Sequence, residues 1–205
     1  TGRSTLGKTT LAVDLMCKPE GPQLMSQVKR CYACCPTWYQ QPALKRLRKI
    51  KGAFISKNVY TRVNDSVFDK IYKELDKKSI PTILFVDDAA AEAATNKGNK
   101  GAFSRLCLAS PHLNLTIIGC FQRLSSASPA FRDNTEGLIS FIPSKTLDVE
   151  TIYHEFNPSP AAEQSLKIVK AALYTAWTSA RFCFIWRPNF TGKVDYYAGF
   201  KQKIE

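Results

Sequence analysis

"TGRSTLGKTT", residues 1–10, opens the chain and decides which kind of fold to expect. It contains the phosphate-loop pattern G-x-x-x-x-G-K-[ST], with Gly2, Gly7, Lys8 and Thr9 at the defined positions. In such a loop, backbone N–H groups wrap around a phosphate at the N-terminus of a helix. The lysine reaches the β- and γ-phosphates, and the hydroxyl binds Mg²⁺. The predicted nucleotide-binding residues are Gly2, Arg3, Ser4, Thr5, Leu6, Gly7, Lys8, Thr9 and Thr10.

A phosphate loop normally follows a buried strand, but only Thr1 precedes Gly2 here. We therefore expect residues 1–205 to form a single phosphate-loop domain that lacks its first strand. An apolar strand upstream of Thr1 would complete this domain.

The composition is that of a folded domain, with 44% apolar and 22% charged residues among 205. No apolar run approaches the ~20 residues of a membrane span, and no signal peptide is visible. We therefore expect a protein that is not secreted and that works in the cytosol or the nucleus.

The net charge is +12, from 29 Lys and Arg against 17 Asp and Glu. A polyanion such as nucleic acid is the natural partner of such a chain, and a solubilising charge excess is the alternative. The seven cysteines include three in "CYACC", namely Cys31, Cys34 and Cys35. A zinc site would need a second ligand pair nearby, and His112 and His154 lie far away. We therefore predict buried, reduced thiols on a strand.

Predicted strands and helices alternate through most of the chain. This alternation indicates an α/β fold, a three-layer sandwich with a mostly parallel sheet and a C-terminal antiparallel strand pair. Ligands of such sheets bind at the carboxyl ends of the strands. The predicted strands are 27–36, 82–88, 115–122, 137–143, 181–188 and 193–200, and the predicted helices are 9–17, 40–51, 64–78, 148–157 and 160–177. Residues 98–111 are predicted as a glycine-flanked loop followed by a short helix, and 128–134 as a turn or short helix.

"TILFVDD", residues 82–88, is an apolar strand that closes in two acids. Beside a phosphate loop, Asp87 would hold Mg²⁺, directly or through water, and Asp88 would orient or deprotonate the attacking water. Without the loop, the same two acids would be read as the cap of the next helix.

"LTIIGCFQ", residues 115–122, is a second apolar strand, and it ends at Gln122. A polar side chain there can contact the γ-phosphate or the water, although it can equally be an ordinary strand end. An arginine delivered by a neighbouring subunit could stabilise transition-state charge. Arg132 is the first candidate, ahead of Arg105 and Arg123.

The predicted helix at 40–51 is strongly basic, with Leu44, Leu47 and Ile50 on one face. Its cations could bind DNA phosphates without reading sequence, or they could form a solvated surface. The candidate DNA-binding residues are Lys45, Arg46, Arg48, Lys49 and Lys51.

Two other classes of phosphate-loop protein can be compared with the sequence. A GTPase reads guanine with N-K-x-D, whereas "NKGN" at 96–99 has asparagine at the last position. A small-molecule kinase usually has an arginine-rich lid, and no compact one is present, although the 97–105 loop leaves a nucleotide or nucleoside kinase as an alternative.

The order of the motifs resembles the genome-packaging ATPases of eukaryotic DNA viruses, the poxvirus-like branch of the FtsK–HerA superfamily. The matching features, over roughly residues 1–157, are the phosphate loop, the turn from Pro36 to Gln41, the acids Asp87 and Asp88, Gln122, and "FRDN" with Arg132 and Asn134. "SPHLN", residues 110–114, lacks an arginine that many relatives carry before the glutamine strand.

This resemblance implies an ATPase that uses ATP and Mg²⁺ to translocate double-stranded DNA into a capsid. It also implies a homo-oligomeric ring, a pentamer or hexamer, at a viral capsid or portal vertex in an infected host cell. The alternative from another class is a nucleic-acid-binding module with a degenerate nucleotide site.

Overall fold

The computed structural model contains two compact units. We call 9–121 and 127–131 the parallel-sheet unit, and 1–8, 122–126 and 132–205 the antiparallel-sheet unit. The residues that the structure describes are 7–17, 23–89, 100–142, 146–156, 170, 171, 174, 175, 177, 178, 184–188, 195–198 and 202–204.

The parallel-sheet unit is built on four parallel strands in the order β2-β1-β3-β4. They are β1 (Arg30–Cys34), β2 (Val59–Tyr60), β3 (Thr82–Asp87) and β4 (Leu115–Cys120). The sequence predicted β1, β3 and β4, and all three are confirmed. The strand β2 was missed because two residues are too short to show a periodic pattern.

Helices cover both faces of this sheet, which gives the predicted three layers. They are α1 (Lys8–Cys17), α2 (Lys45–Arg48), α3 (Asp65–Asp76), α4 (Ala102–Ala109) and α5 (Pro129–Asp133). Tyr32 and Leu84 pack in one apolar cluster with α3 and α4. Ala33 and Phe85, their neighbours on the same strands, pack in a second cluster with α1. Successive strand residues face opposite sides, so β3 is buried along its full length.

The cap of α3 follows the prediction. Asn64 precedes the helix, and its side chain accepts a hydrogen bond from the backbone N–H of Val67 at 3.2 Å. This bond satisfies one of the N–H groups that a helix leaves free in its first turn.

The basic helix predicted at 40–51 is shorter than expected. A 3-10 turn at Pro42–Leu44 leads into α2, which ends at Arg48. The N–H of Lys49 then bonds to the carbonyl of Arg46, and that of Ile50 bonds to the carbonyl of Leu47. These tight turns end at Gly52, whose φ of 79° suits glycine. Leu44 and Leu47 are both buried, so these residues keep the apolar spacing of a longer helix although the hydrogen-bond pattern changes. This spacing explains why the predicted helix was too long.

The antiparallel-sheet unit has strands β5 (Gly137–Phe141), β6 (Phe184–Pro188), β7 (Asp195–Ala198) and β8 (Gln202–Ile204). They pair in sequence order, and every pair is antiparallel. The predicted closing pair, β6 and β7, is confirmed, and it forms the middle of a larger sheet.

The helix α6 (Thr146–Phe156) matches the helix predicted at 148–157. Of the helix predicted at 160–177, residues 170, 171, 174, 175 and 177 are helical, and the remainder lies outside the described residues. In the described parts of the chain, no helix has the length and apolar character needed to cross a membrane.

Candidate nucleotide site

The predicted phosphate loop lies partly outside the described residues, and this applies to Gly2, Arg3, Ser4, Thr5 and Leu6. Its last glycine, Gly7, has a φ of 81°, a left-handed conformation that glycine adopts without steric cost. Lys8 is the first residue of α1, and Thr9 and Thr10 follow in its first turn. The loop therefore leads directly into a helix N-terminus, as its motif predicted.

Thr9 and Asp87 meet at the carboxyl edge of the parallel sheet. The Thr9 hydroxyl donates a hydrogen bond to Asp87 Oδ2 at 3.0 Å, joining the first turn of α1 to the last residue of β3. Asp87 is only 3% exposed. A buried carboxylate is costly unless it is hydrogen-bonded or binds a cation. The two oxygens predicted to act on one metal ion therefore lie side by side.

Asp88 leaves the regular strand geometry. Its φ is 53°, a left-handed conformation that non-glycine residues seldom adopt and that Asp and Asn tolerate best. It directly follows Asp87, so the backbone turns at the residue predicted to act on water. Unusual backbone conformations are concentrated at functional sites because the surrounding structure must hold them.

The remaining predicted catalytic residues belong to the antiparallel-sheet unit. Gln122 comes two residues after Cys120, which is paired with Asp87 across β3 and β4. Arg132 lies in α5. The catalytic roles of Lys8, Gln122 and Arg132 stay predictions.

Arg105 has a partner within its own chain. Its guanidinium lies 2.5 Å from Asp69 Oδ1, and both side chains are well exposed. The ion pair links α4 to α3. The action of Arg105 on a neighbouring subunit stays a prediction.

Three further side chains with hydrogen-bonding groups lie at or just after the end of β1. The turn from Pro36 to Gln41 was among the features that resemble packaging ATPases, but none of these three residues was predicted to act in the nucleotide site. Gln41 Nε2 donates to Thr37 Oγ1 at 2.6 Å. The same hydroxyl oxygen lies 3.6 Å from the sulfur of Cys35. The signal was present as polar residues directly after a buried strand, "PTWYQQ" at 36–41, but a spacing pattern could not assign them a contact.

The Cys35 thiol lies within the electrostatic field of both acids. Burial raises its pKa to about 11, the hydrogen bond with Thr37 lowers it, and the carboxylates of Asp87 and Asp88 raise it. The thiol is therefore protonated at neutral pH, and it is a neutral neighbour of the acids.

The other cysteines of "CYACC" are also buried. Cys31 and Cys34 lie on β1, and both are free thiols. Burial raises the pKa of Cys31 to about 12 and raises that of Cys34 further. This confirms the predicted buried thiols on a strand, where they pack as small apolar side chains.

The arginines of the basic run contact the protein itself. Arg46 Nη1 forms an ion pair with Asp14 Oδ1 at 2.6 Å, which links α2 to α1. Arg48 Nη1 donates to the carbonyls of Trp38 at 2.5 Å and Gln41 at 3.3 Å. The lysines of the run are exposed to solvent, and these are Lys45, Lys49 and Lys51.

No protein-family model and no curated protein matches this sequence. Solved structures do match it. The genome packaging NTPase B204 from Sulfolobus turreted icosahedral virus 2, in complex with ATP-gammaS, is 16% identical with a TM-score of 0.63, over 97% of this chain and 94% of that one. Its complex with AMP is 17% identical with a TM-score of 0.66, over the same shares of the two chains.

B204 from Sulfolobus Turreted Icosahedral Virus, described as a DNA-packaging ATPase, is 16% identical with a TM-score of 0.66. The match again covers 97% of this chain and 94% of that one. Both predictions about architecture are confirmed, since the chain has an α/β fold with a mostly parallel sheet, and its structure resembles viral genome-packaging ATPases.

Proposed function

We propose that this protein is an ATP-hydrolysing motor that moves double-stranded viral DNA into a capsid. The observation that carries the proposal is the contact between Thr9 and Asp87 at 3.0 Å. It joins the end of a phosphate-loop motif to the acid of a buried strand, in a fold that resembles genome-packaging ATPases. The two motifs are 78 residues apart in sequence, so only the fold brings them together.

The residues present fit a magnesium ion. Mg²⁺ prefers oxygen ligands such as hydroxyls and carboxylates. Thr9 Oγ1 and Asp87 Oδ2 are oxygens of these two types, and they lie 3.0 Å apart. Mg²⁺ bound there would neutralise charge on the β- and γ-phosphates of ATP. Thr9 would contribute its hydroxyl oxygen, and Asp87 would act directly or through water.

We assign the hydrolytic step to residues of the predicted motifs. Asp88 would accept a proton from the attacking water, and its left-handed backbone turns the residue out of the strand. Lys8 and the loop N–H groups would hold the phosphates. Gln122 would sense the γ-phosphate, and Arg132 would act on a neighbouring subunit.

The partners follow from charge and resemblance. The net charge of +12 favours a polyanion, and we propose that the polyanion is duplex DNA. We further propose a homo-oligomeric ring, a pentamer or hexamer, that works at a capsid or portal vertex in the infected cell. Arg132 would reach a neighbouring site only in an assembly of several copies, and a ring is one such assembly.

The decisive experiment measures ATP hydrolysis with and without duplex DNA, for the wild type and for Lys8→Ala. We expect Mg²⁺-dependent hydrolysis that DNA increases and that Lys8→Ala abolishes. Phosphate transfer to a nucleoside acceptor instead of water would indicate a kinase. DNA binding without ATP binding would indicate a nucleic-acid-binding module with a degenerate site. Either result would overturn the motor proposal.

A further inference from the structure

The loop after β1 carries a short chain of hydrogen-bonding groups. Gln41 Nε2 donates to Thr37 Oγ1 at 2.6 Å, and this oxygen lies 3.6 Å from Cys35 Sγ. All three residues belong to the parallel-sheet unit, as do Asp87 and Asp88. None of the three was assigned to the nucleotide site by the sequence.

The hydrogen bond from Gln41 gives the Thr37 hydroxyl a direction. A hydroxyl has one hydrogen to donate and two lone pairs to accept with. Because the amide N–H of Gln41 occupies a lone pair, the hydrogen of Thr37 is directed elsewhere. The sulfur of Cys35 lies within hydrogen-bond reach of this hydroxyl, and either group can be the donor.

The register of the sheet places Cys35 beside the acids. Cys34 is paired with Val86, so the next residues along the two parallel strands are Cys35 and Asp87. The apolar cluster that contains α1 includes Cys35 and Phe85. Since strand side chains alternate, Asp87 faces the same side as Phe85, where it meets Thr9.

The loop itself is held firmly. Arg48 donates to the backbone carbonyls of Trp38 and Gln41. The Trp38 ring is 2% exposed and packs against Phe54, with centroids 5.1 Å apart. A group on a fixed loop can orient its neighbours because it does not move with them.

We propose that Thr37, supported by Gln41, is a positioning residue for the acid pair Asp87 and Asp88, and that it acts through the Cys35 thiol. This inference rests on the proposed ATPase function. The hydroxyl fixes the side chain of Cys35, and the fixed thiol, which the strand register places next to Asp87, limits the positions that the carboxylate can take. Hydrogen-bond partners of metal ligands commonly change metal affinity or activity ~10–100-fold when they are removed, and this range sets the scale of the effect that we expect.

The test compares Thr37→Val, which keeps the shape and loses the hydroxyl, with Thr37→Ser, which keeps the hydroxyl. For Thr37→Val we expect kcat for MgATP to fall about tenfold or more, with KM and the melting temperature near the wild-type values. Thr37→Ser should restore most of the activity. A purely structural role would lower the melting temperature of Thr37→Val and leave the kcat of the folded protein unchanged, and that result would overturn the inference.

Two adjacent glutamines provide a matched control that does not alter Thr37. Gln41→Leu removes the donor to Thr37, whereas Gln40→Leu changes an exposed neighbour. We expect the kcat of Gln41→Leu to fall severalfold and that of Gln40→Leu to stay at the wild-type value. Equal values for the two variants would contradict the inference.

ATP hydrolysis by the wild type and by Asp88→Asn tests the proposed function separately from the role of Thr37. If the wild type hydrolyses ATP, Asp88→Asn does not, and Thr37→Val is fully active, only the positioning role is overturned. If the wild type does not hydrolyse ATP, the ATPase proposal and the inference are both overturned.

Discussion

The carboxyl edge of the parallel sheet and the basic run at 45–51 are both charged regions that the sequence singled out, but the protein uses their charges differently. At the sheet edge, Asp87 is buried and bonded to Thr9. In the basic run, Arg46 and Arg48 contact a neighbouring helix and a loop, and the lysines are exposed. A charge at the end of a buried strand has its position set by the fold, whereas the role of a charge on a surface segment depends on which neighbours it finds.

The largest expected effect concerns Asp88. Asp88→Asn should lower kcat about 10²–10⁴-fold, because the amide cannot accept the proton of the attacking water. Asn tolerates a left-handed φ nearly as well as Asp, so the melting temperature should not change. Steady-state ATPase assays and thermal unfolding measure the two quantities. If Asp88→Asn hydrolyses ATP at the wild-type rate, Asp88 is not the catalytic base.

The second prediction contrasts two cations of the basic run. Arg48→Ala should lower the free energy of unfolding by about 1–3 kcal/mol, because it leaves the carbonyls of Trp38 and Gln41 without their charged donor. Lys45→Ala, at an exposed position, should change it by less than about 0.5 kcal/mol. Urea unfolding provides both values. Equal destabilisation would remove the distinction between structural arginines and exposed lysines.

The third prediction concerns DNA. Replacing Lys45, Lys49 and Lys51 together with Ala should weaken binding to duplex DNA of any sequence. It should also reduce the slope of log K against log salt by up to about 3, since each phosphate contact contributes about 0.9. Fluorescence anisotropy at several salt concentrations measures this slope. If the slope does not change, these lysines do not contact DNA phosphates, and DNA binds at another surface. The ATPase proposal would not be affected by this result.

The fourth prediction concerns a loss of stability in alkali. The pKa of Cys35 is raised from 9.0 to about 11, first by burial and then by the neighbouring acids. The folded state therefore holds this proton more tightly than the unfolded state, and the resulting stabilisation is complete below pH 9 and is lost as the pH rises through 11.

Cys31 and Cys107, whose pKa values burial raises to about 12, should add to this loss. Urea unfolding at pH 8 and at pH 10.5 measures it, and Cys107→Ala should reduce the difference between the two. A free energy of unfolding that rises over this interval would contradict the assignment of these cysteines as neutral buried thiols.

Much of the fold could be read from the sequence because the strands β1, β3 and β4 are apolar runs and the cap of α3 is a side chain of the expected type. What the sequence misplaced has a physical cause in each case. The helix at 40–51 was predicted too long because tight turns preserve the apolar spacing while they change the hydrogen-bond pattern. The strand β5 was predicted as a further strand in the alternation of strands and helices, but it pairs with β6 in the antiparallel sheet.

The sequence by itself determined the chemistry available to this protein. A glycine-rich loop with Lys8 and Thr9, and a buried strand that ends in Asp87 and Asp88, specify oxygen and nitrogen groups suited to a phosphate and a metal ion. Local spacing is enough for this, because each motif is continuous in the chain.

Only the tertiary structure decided which of these groups meet. The packing of α1 on the sheet brought Thr9 to Asp87, and strand register brought Cys35 beside the acids. Packing between segments also joined Gln41 to Thr37 and turned Arg46 and Arg48 toward the protein. Such contacts depend on distances between segments far apart in the chain, and these distances are set by the packing of the whole core.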